Sequence, residues 1–312
     1  MKKGVREMDI LFPIAGVHLN ILTVAGLGAI VGLLSGVFGV GGGFLLTPLL
    51  MMIGVPSTVA AASDSNQIVA ASVSGAMAHS RLGNVDWKLG LLLVAGGWFG
   101  GLAGTQMVHR LMASGNAQFV IQISYVIMLS VVGSYMFYES TRSMFNRDKT
   151  ETTAAPAPKV PLLSRLPGRI YFRYAGIHAS VYALLGLGFL TGVLAALMGV
   201  GGGFIMLPVL IYLVGVPTGI AVGTSLVTVL FTAGEVTLTQ SIVNHTVDLL
   251  LALVLLAGSS VGAQVGVRIG RQLKAEQLRV VFSLIVLVTM GTMVYTLLAA
   301  PHTLISMAGG GQ

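Results

Sequence analysis

Two carboxylates stand inside sequence that is otherwise apolar and helix-forming: Asp64, in Ser63-Asp64-Ser65-Asn66-Gln67, and Glu235, in Thr232-Ala233-Gly234-Glu235. An acid at the centre of a membrane helix costs about 2.5 to 3.5 kcal/mol on insertion scales, so it normally faces a cavity and works there. A carboxyl group so placed can bind and release a proton, which would couple the passage of an anion to the proton gradient. Thr224, Thr228, Thr232, Glu235 and Thr239 fall at i, i+4, i+8, i+11 and i+15, one face of a helix. Ser63, Gln67, Ala71, Ser74 and Ala78 form the matching stripe earlier in the chain, flanked by Asp64 and Asn66. Both stripes would line a polar path.

The second chemical feature is a pair of glycine clusters, Gly41-Gly42-Gly43 and Gly201-Gly202-Gly203. A helix interrupted inside lipid strands backbone N–H and C=O groups, and it survives only where protein or a water-filled cavity satisfies them. The short helix that follows points its free N–H groups and positive dipole end at the break, a ready receptor for an anion. No Lys or Arg lies near the centre of a span, so the anion would be held by backbone amides, hydroxyls and carboxamides. The expected binding set is Gly41, Gly42, Gly43, Gly201, Gly202, Gly203, Ser63, Asn66, Gln67, Ser74, Thr224, Ser225 and Thr228, with Asp64 and Glu235 as proton-coupling groups. Gly26, Gly28, Gly32, Gly36, Gly96, Gly100 and Gly104 read instead as sites of close helix packing, and Asp86 and Asp248 as helix N-caps.

These residues recur at a fixed interval. Gly39 to Phe44 with Pro48 repeats as Gly199 to Phe204 with Pro208, Gly54-Val55-Pro56 as Gly215-Val216-Pro217, and Val85-Asp86 as Val247-Asp248. Asp64 then corresponds to Ser225 and Glu235 to Ser74, so the two halves share an architecture and differ in charge. Each half reads as a long apolar helix, the glycine break, a short piece of about eleven residues, and three further long helices. Long helices are expected over about 19–38, 57–79, 87–108 and 117–138, then 178–198, 218–241, 249–268 and 278–299. A span takes about 20 residues at 1.5 Å each, so these eight qualify and the short pieces are half-helices or re-entrant turns. The expected fold is an all-α integral membrane protein of two homologous four-helix repeats. Its segments are 1–18 (N-terminal), 19–138 (first repeat), 139–176 (basic polar linker), 177–300 (second repeat) and 301–312 (tail). Charge places the linker in the cytoplasm, but Lys2, Lys3 and Arg6 favour parallel halves while the loop with Arg268, Arg271, Lys274 and Arg279 favours inverted ones, and both topologies stay open.

Composition agrees. Of 312 residues 55% are hydrophobic and only 9% charged, against about 25% charged in soluble domains, which makes the lipid bilayer the solvent. The net charge of +7 is concentrated in the linker, so no nucleic acid is expected as partner. With no cysteine there is no thiolate chemistry, and no two histidines stand at i, i+4, so no metal or other cofactor is expected. No phosphate loop, HExxH or Ser/His/Asp order is visible, and the chain does not read as an enzyme.

The two G-x-G-G-G-F motifs at Gly39 to Phe44 and Gly199 to Phe204, each followed by proline and then Gly-Val-Pro, resemble the sulfite exporter TauE/SafE family, also called the toluene-sulfonate uptake permease family. The similarity covers nearly the whole chain outside the linker. It implies an inner-membrane permease for sulfite, sulfoacetate or another organosulfonate, with protons, the small anion and the bilayer as partners and a homodimer left open. An anion channel, or a non-transporting assembly factor docking through the basic linker, are the alternatives.

Overall fold

The computed structural model describes residues 9–38, 43–145, 167–270 and 275–299. The helices of the first half are α1 (Ile21–Phe38), α2 (Gly43–Met52), α3 (Ser57–Arg81), α4 (Trp87–Ala113) and α5 (Ala117–Phe145). Those of the second are α6 (Val181–Met198), α7 (Gly203–Pro208), α8 (Thr218–Thr239), α9 (Leu249–Gly270) and α10 (Ala275–Ala299). Among the described residues, five helical stretches are long and apolar enough to cross a membrane: 87–113, 117–134, 181–198, 219–244 and 249–266. The 25-residue α3 is not among them, because Ser63 to Gln67 and its other hydroxyl residues dilute its apolar content.

The described chain is mostly helical, as expected, with a small addition. Two short antiparallel hairpins, β1 (Asp9–Phe12) with β2 (Val17–Asn20) and β3 (Arg169–Phe172) with β4 (Ile177–Ser180), lead directly into α1 and α6. Their registers match 160 residues apart, Asp9 opposite Asn20 and Arg169 opposite Ser180. The hairpins sit at helix starts, where open strand edges are tolerated as they are not in lipid, and each buries one aromatic side chain completely, Phe12 and Phe172. Of the segment expected as linker, residues up to Phe145 continue α5 and 169–176 belong to the second hairpin. Residues 146–166 and the tail 301–312 lie outside the described residues.

Small residues decide which helices meet. A Cβ on Gly28 or Gly32 of α1 would strike the backbone of Leu255 or Ser259 on α9, and one on Gly258, Gly262 or Gly266 would strike Ala25, Ala29 or Leu33 in return. The same interlock joins α4 and α6, where Gly96, Gly100 and Gly104 meet Leu185, Phe189 and Val193. In both seams the residue numbers rise together, so the paired helices are parallel. Gly26, the remaining described glycine expected to pack closely, meets nothing within 4 Å, and the surroundings of Gly36 lie outside the described residues. α3 and α8 are antiparallel, since Gly75 meets Leu226 while Gly223 meets His79 and Asn84. So are α5 and α10, with Ser130 on Met290 and Gly133 on Val286. Each of these four seams joins a helix of the first half to one of the second.

Asp86 and Asp248 cap α4 and α9 through Oδ1, which accepts from the N–H of Leu89 and of Leu251, both at 3.1 Å. Their other oxygens reach across the molecule. Asp248 Oδ2 accepts from the N–H of Ile14 and Ala15 in the first hairpin's turn, at 3.0 and 3.2 Å, and Asp86 Oδ2 from the N–H of Ala175 in the second, at 3.1 Å.

Candidate functional site

The two short helices converge. Phe44 and Phe204, one residue into α2 and α7, stack with ring centroids 4.4 Å apart and planes 16° apart, each only 2% exposed. The first turn of any helix leaves N–H groups without intrahelical acceptors and carries positive partial charge, so two such ends are brought together at this stack. The break ahead of α7 depends on glycine twice over. Gly199, Gly201 and Gly202 have φ of 72°, 65° and 73°, a left-handed region that side-chain-bearing residues rarely enter. Space is also lacking, because a Cβ on Gly199 would strike the Ala61 backbone and one on Gly201 would meet Ile68 and Val229. Gly203 opens α7 against Val229, and Gly43 opens α2 against Ile68 and Asp64. Gly41 and Gly42 lie outside the described residues.

Asp64, fully buried on α3, receives a 2.7 Å hydrogen bond at Oδ2 from the Thr47 hydroxyl on α2. Its Oδ1 has no hydrogen-bond partner and faces Gly43, at the positive end of the short helix. Tyr125 of α5, also fully buried, lies beside Thr47 and Asp64, and its hydroxyl donates to the carbonyl of Met198 at the end of α6. Ser65 donates to the carbonyl of Gly199 at 3.1 Å, which ties α3 to the opposite break. Ser63 Oγ and Gln67 Oε1 are buried without partners, Asn66 is half-buried, and Ser74 lies on α3 with its side chain outside the described residues.

The threonine stripe of α8 is buried, with Thr224, Thr228, Thr232 and Glu235 each no more than 3% exposed, and it faces α4 and the second break. Its hydroxyls serve the backbone. Thr228 donates to the carbonyl of Thr224 at 3.0 Å, Thr232 to those of Thr228 and Gly201 at 2.9 and 3.3 Å, and Ser225 to that of Val222 at 2.9 Å. Thr224 Oγ1 accepts from the N–H of Asp86 at 3.0 Å. Such bonding to the preceding turn is a common resting place for threonine in a helix.

Glu235 packs its Oε2 onto Gly101 of α4, where that oxygen finds no donor. Its Oε1 accepts from Thr239 at 3.4 Å, and the Thr239 hydroxyl lies 3.1 Å from that of Thr105 on α4. Beyond Thr239 the helix widens into a π-helical turn, Gln240–Asn244, a form often found at functional sites. There Asn244 Nδ2 donates to Gln240 Oε1 at 2.6 Å, and Asn244 Oδ1 lies 3.0 Å from Nδ1 of the exposed His109.

The fold thus gathers Gly43, Asp64 and the second break around the stacked phenylalanines, and leaves Glu235 further along α8. Thr47, Tyr125, Thr105, His109, Gln240 and Asn244 also belong to these surroundings. As isolated polar residues in apolar runs they carry no distinguishing signal, apart from Thr105 and His109, which follow Gly101 on α4 at four-residue steps. Among the described residues no group of three or more His, Cys, Asp or Glu side chains could hold a metal ion.

A family model described as Sulfite exporter TauE/SafE matches residues 24–293. A probable membrane transporter protein of Xylella fastidiosa (strain 9a5c) is 26% identical over 276 residues, covering 86% of this chain and 92% of its own. The probable membrane transporter protein YunE of Bacillus subtilis (strain 168) is 32% identical over 111 residues, 35% of this chain and 39% of that one. Sulfite exporter TauE/SafE family protein 2 of Arabidopsis thaliana is 27% identical over 131 residues, 41% of this chain and 26% of its own. No solved structure matches the chain.

Proposed function

The chain belongs to the sulfite exporter TauE/SafE family of membrane transporters, and on that premise we propose that it is a proton-coupled secondary transporter of a small sulfur-containing anion such as sulfite, sulfoacetate or another organosulfonate. The observation that carries this reading is the stack of Phe44 on Phe204. It joins the starts of two short helices into one buried locus able to offer backbone N–H groups to sulfite or sulfonate oxygens, the arrangement secondary transporters use for anions. Gly43 and Gly201 to Gly203 form the core of that locus, with Ser63, Asn66, Gln67 and Thr228 nearest to it; Gly41, Gly42 and Ser74 join the proposal on sequence alone, and Thr224 and Ser225 lie further along α8, towards the start of α4. Of the two carboxyl groups expected to couple protons, Glu235 is the one that exchanges them, and Asp64, bonded by Thr47 at the start of α2, steadies the locus.

Helix directions support an inverted repeat. α9 is parallel to α1 and begins where α8 ends, α3 is antiparallel to α8, and α4 begins where α3 ends and is parallel to α6. Followed through, α6 runs against α1, and the short helices complete a crossing in each half. Arg81, Lys88, the linker cations and the loop of Arg268, Arg271, Lys274 and Arg279 then share one side, leaving Arg110, Lys2, Lys3 and Arg6 on the other. The excess of basic residues marks the former as the cytoplasmic side of the inner membrane.

The test is uptake of sulfite into proteoliposomes of the purified chain under an imposed pH gradient. Flux should saturate with sulfite and rise with the gradient, and Gly42→Val and Gly202→Val should each abolish it in protein that still inserts. Wild-type rates in both variants would refute the site, and flux that never saturates would make the protein a channel.

A further inference from the structure

We infer that protons reach Glu235 through one defined entrance, a polar seam between α4 and α8 that runs from the exposed His109 through Thr105 and Thr239. This rests on the reading of Glu235 as a coupling carboxyl, and adds the route and the side from which it is served. Four residues of α4 at four-residue steps, Gly97, Gly101, Thr105 and His109, meet Thr232, Glu235, Thr239 and Asn244 of α8 and its π-helical turn. The inner half of this seam is closed by glycine. The outer half is polar and ends in a titratable side chain at the surface.

Hydrogen-bond roles follow from the donors available. Gln240 Nε2 donates to the carbonyl of Ala196 at 3.0 Å, so its Oε1 is free to accept from Asn244 Nδ2. That assigns Oδ1 of Asn244 as an acceptor, and His109 Nδ1–H as the donor to it. The neutral imidazole then keeps its lone pair on Nε2, the atom that takes a proton from solvent. The Thr239 hydroxyl rests on the backbone carbonyl of Glu235 at 2.8 Å and turns to its Oε1, 3.4 Å away, for the transfer; in both positions its oxygen is left to accept from Thr105. Four residues of α4, about 6 Å of rise, separate His109 from Thr105, and on this inference solvent entering beside the exposed imidazole spans that step.

In the transfer, a proton bound at His109 Nε2 passes by that solvent to Thr105 Oγ1, whose own proton moves to Thr239 Oγ1, whose proton moves to a carboxylate oxygen of Glu235. The net change is one proton on Glu235 and none on either hydroxyl. The elements packed against α8 carry few other ionisable groups: Asp64, His79 and Arg81 on α3, Lys88 and Arg110 on α4, Tyr182 on α6, and Tyr212 in the helical turn that follows α7. None of these is hydrogen-bonded to Glu235, Thr239 or Thr105 among the bonds seen in the described residues. Asp64, held by Thr47 and enclosed on all sides, has no comparable route.

Infrared difference spectroscopy of the full chain in lipid nanodiscs tests this without any transported anion. The carbonyl band of protonated Glu235 is the band that Glu235→Gln removes, and its shift after transfer to heavy water reads proton exchange. Thr105→Val, Thr239→Val and His109→Ala should each slow that exchange by about tenfold or more, a typical worth of one positioned proton relay, and added imidazole should restore the rate in His109→Ala only. Exchange as fast as wild type in all three variants, or no protonated band lost in Glu235→Gln, overturns the entrance. Because sulfite is absent from the assay, slowed exchange in a chain that moves no sulfite would leave the entrance standing and refute the function. Gradient-driven sulfite flux with unaltered exchange would do the reverse.

Discussion

Asp64 and Glu235 are both buried carboxyl groups on the long helix that follows a glycine break, yet their surroundings share little. Asp64 is locked inside the tertiary core, with Thr47 on one oxygen and the start of α2 beside the other. Glu235 lies against the bare backbone of Gly101, with threonines and then a histidine leading outward. In the repeat register Gly101 corresponds to Ala263, Thr105 to Val267, Thr239 to Ala78 and Glu235 itself to Ser74. The two hydroxyl steps of the seam, Thr105 and Thr239, therefore have apolar counterparts. Two acids in similar sequence settings thus meet unequal surroundings, one set to hold a short helix in place and one with hydroxyls leading away from it.

The largest effects should come from the part that is equal in both halves. Gly32→Leu and Gly100→Leu drive a side chain into the facing backbone of α9 and α6. Overpacking a fitted seam costs about 3 kcal/mol or more when the backbone cannot move, so both should lose the monodisperse peak in size-exclusion chromatography. A loss confined to one would show that the two seams are not equivalent. Next comes the unequal part. Glu235→Gln should remove the dependence of sulfite flux on the pH gradient, while Asp64→Asn should retain a gradient response at lower flux. Identical losses in both would erase the contrast drawn between the acids.

Smaller effects grade the crosswise ties. Asp248→Ala forfeits a helix cap and two hairpin N–H bonds, about 3 kcal/mol, and Asp86→Ala a cap and one such bond, about 2 kcal/mol. The thermal midpoint in detergent should fall in that order, and the reverse order would show that the hairpin bonds matter less than the caps. Smallest is Thr47→Val, which strands the second oxygen of Asp64 for about 1 to 2 kcal/mol. The same readout should detect it, with Thr239→Val closer to wild type because the half-buried Thr239 lies nearer to solvent.

How far these contrasts were legible depends on the range of the interactions. The long helices stand within a few residues of where the apolar runs put them, since each is written by twenty local residues. The break before α7 and the two short helices were legible for the same reason, as were the caps at Asp86 and Asp248. The partners of the caps' second oxygens were not, because they belong to hairpins whose four-residue strands lack a hydrophobic period. A cue existed in Phe12-x-x-Ala15-Gly16-x-His18, which recurs as Phe172-x-x-Ala175-Gly176-x-His178. The α8 threonines were legible as a face, but not that their hydroxyls bond their own helix, which is a matter of rotamer. Contacts such as Thr47 with Asp64 and Thr105 with Thr239 join residues on separate helices, and no local pattern encodes them. Charge counts left the relative direction of the halves undecided, whereas the glycine registers of the α1/α9 and α4/α6 seams bear on it directly.

Those same seams set a timetable for biogenesis. α1 leaves the ribosome early but finds its glycine-matched partner only when α9 has been made, more than two hundred residues later, and α4 waits in the same way for α6. At synthesis rates of about 5 to 20 residues per second, α1 spends on the order of ten seconds in the bilayer with its notched face against lipid. Neither half can close the α1/α9 or the α4/α6 seam by itself, so the first half alone would be left with both of those glycine grooves open. Two half-chains expressed together would have what they need to recognise each other.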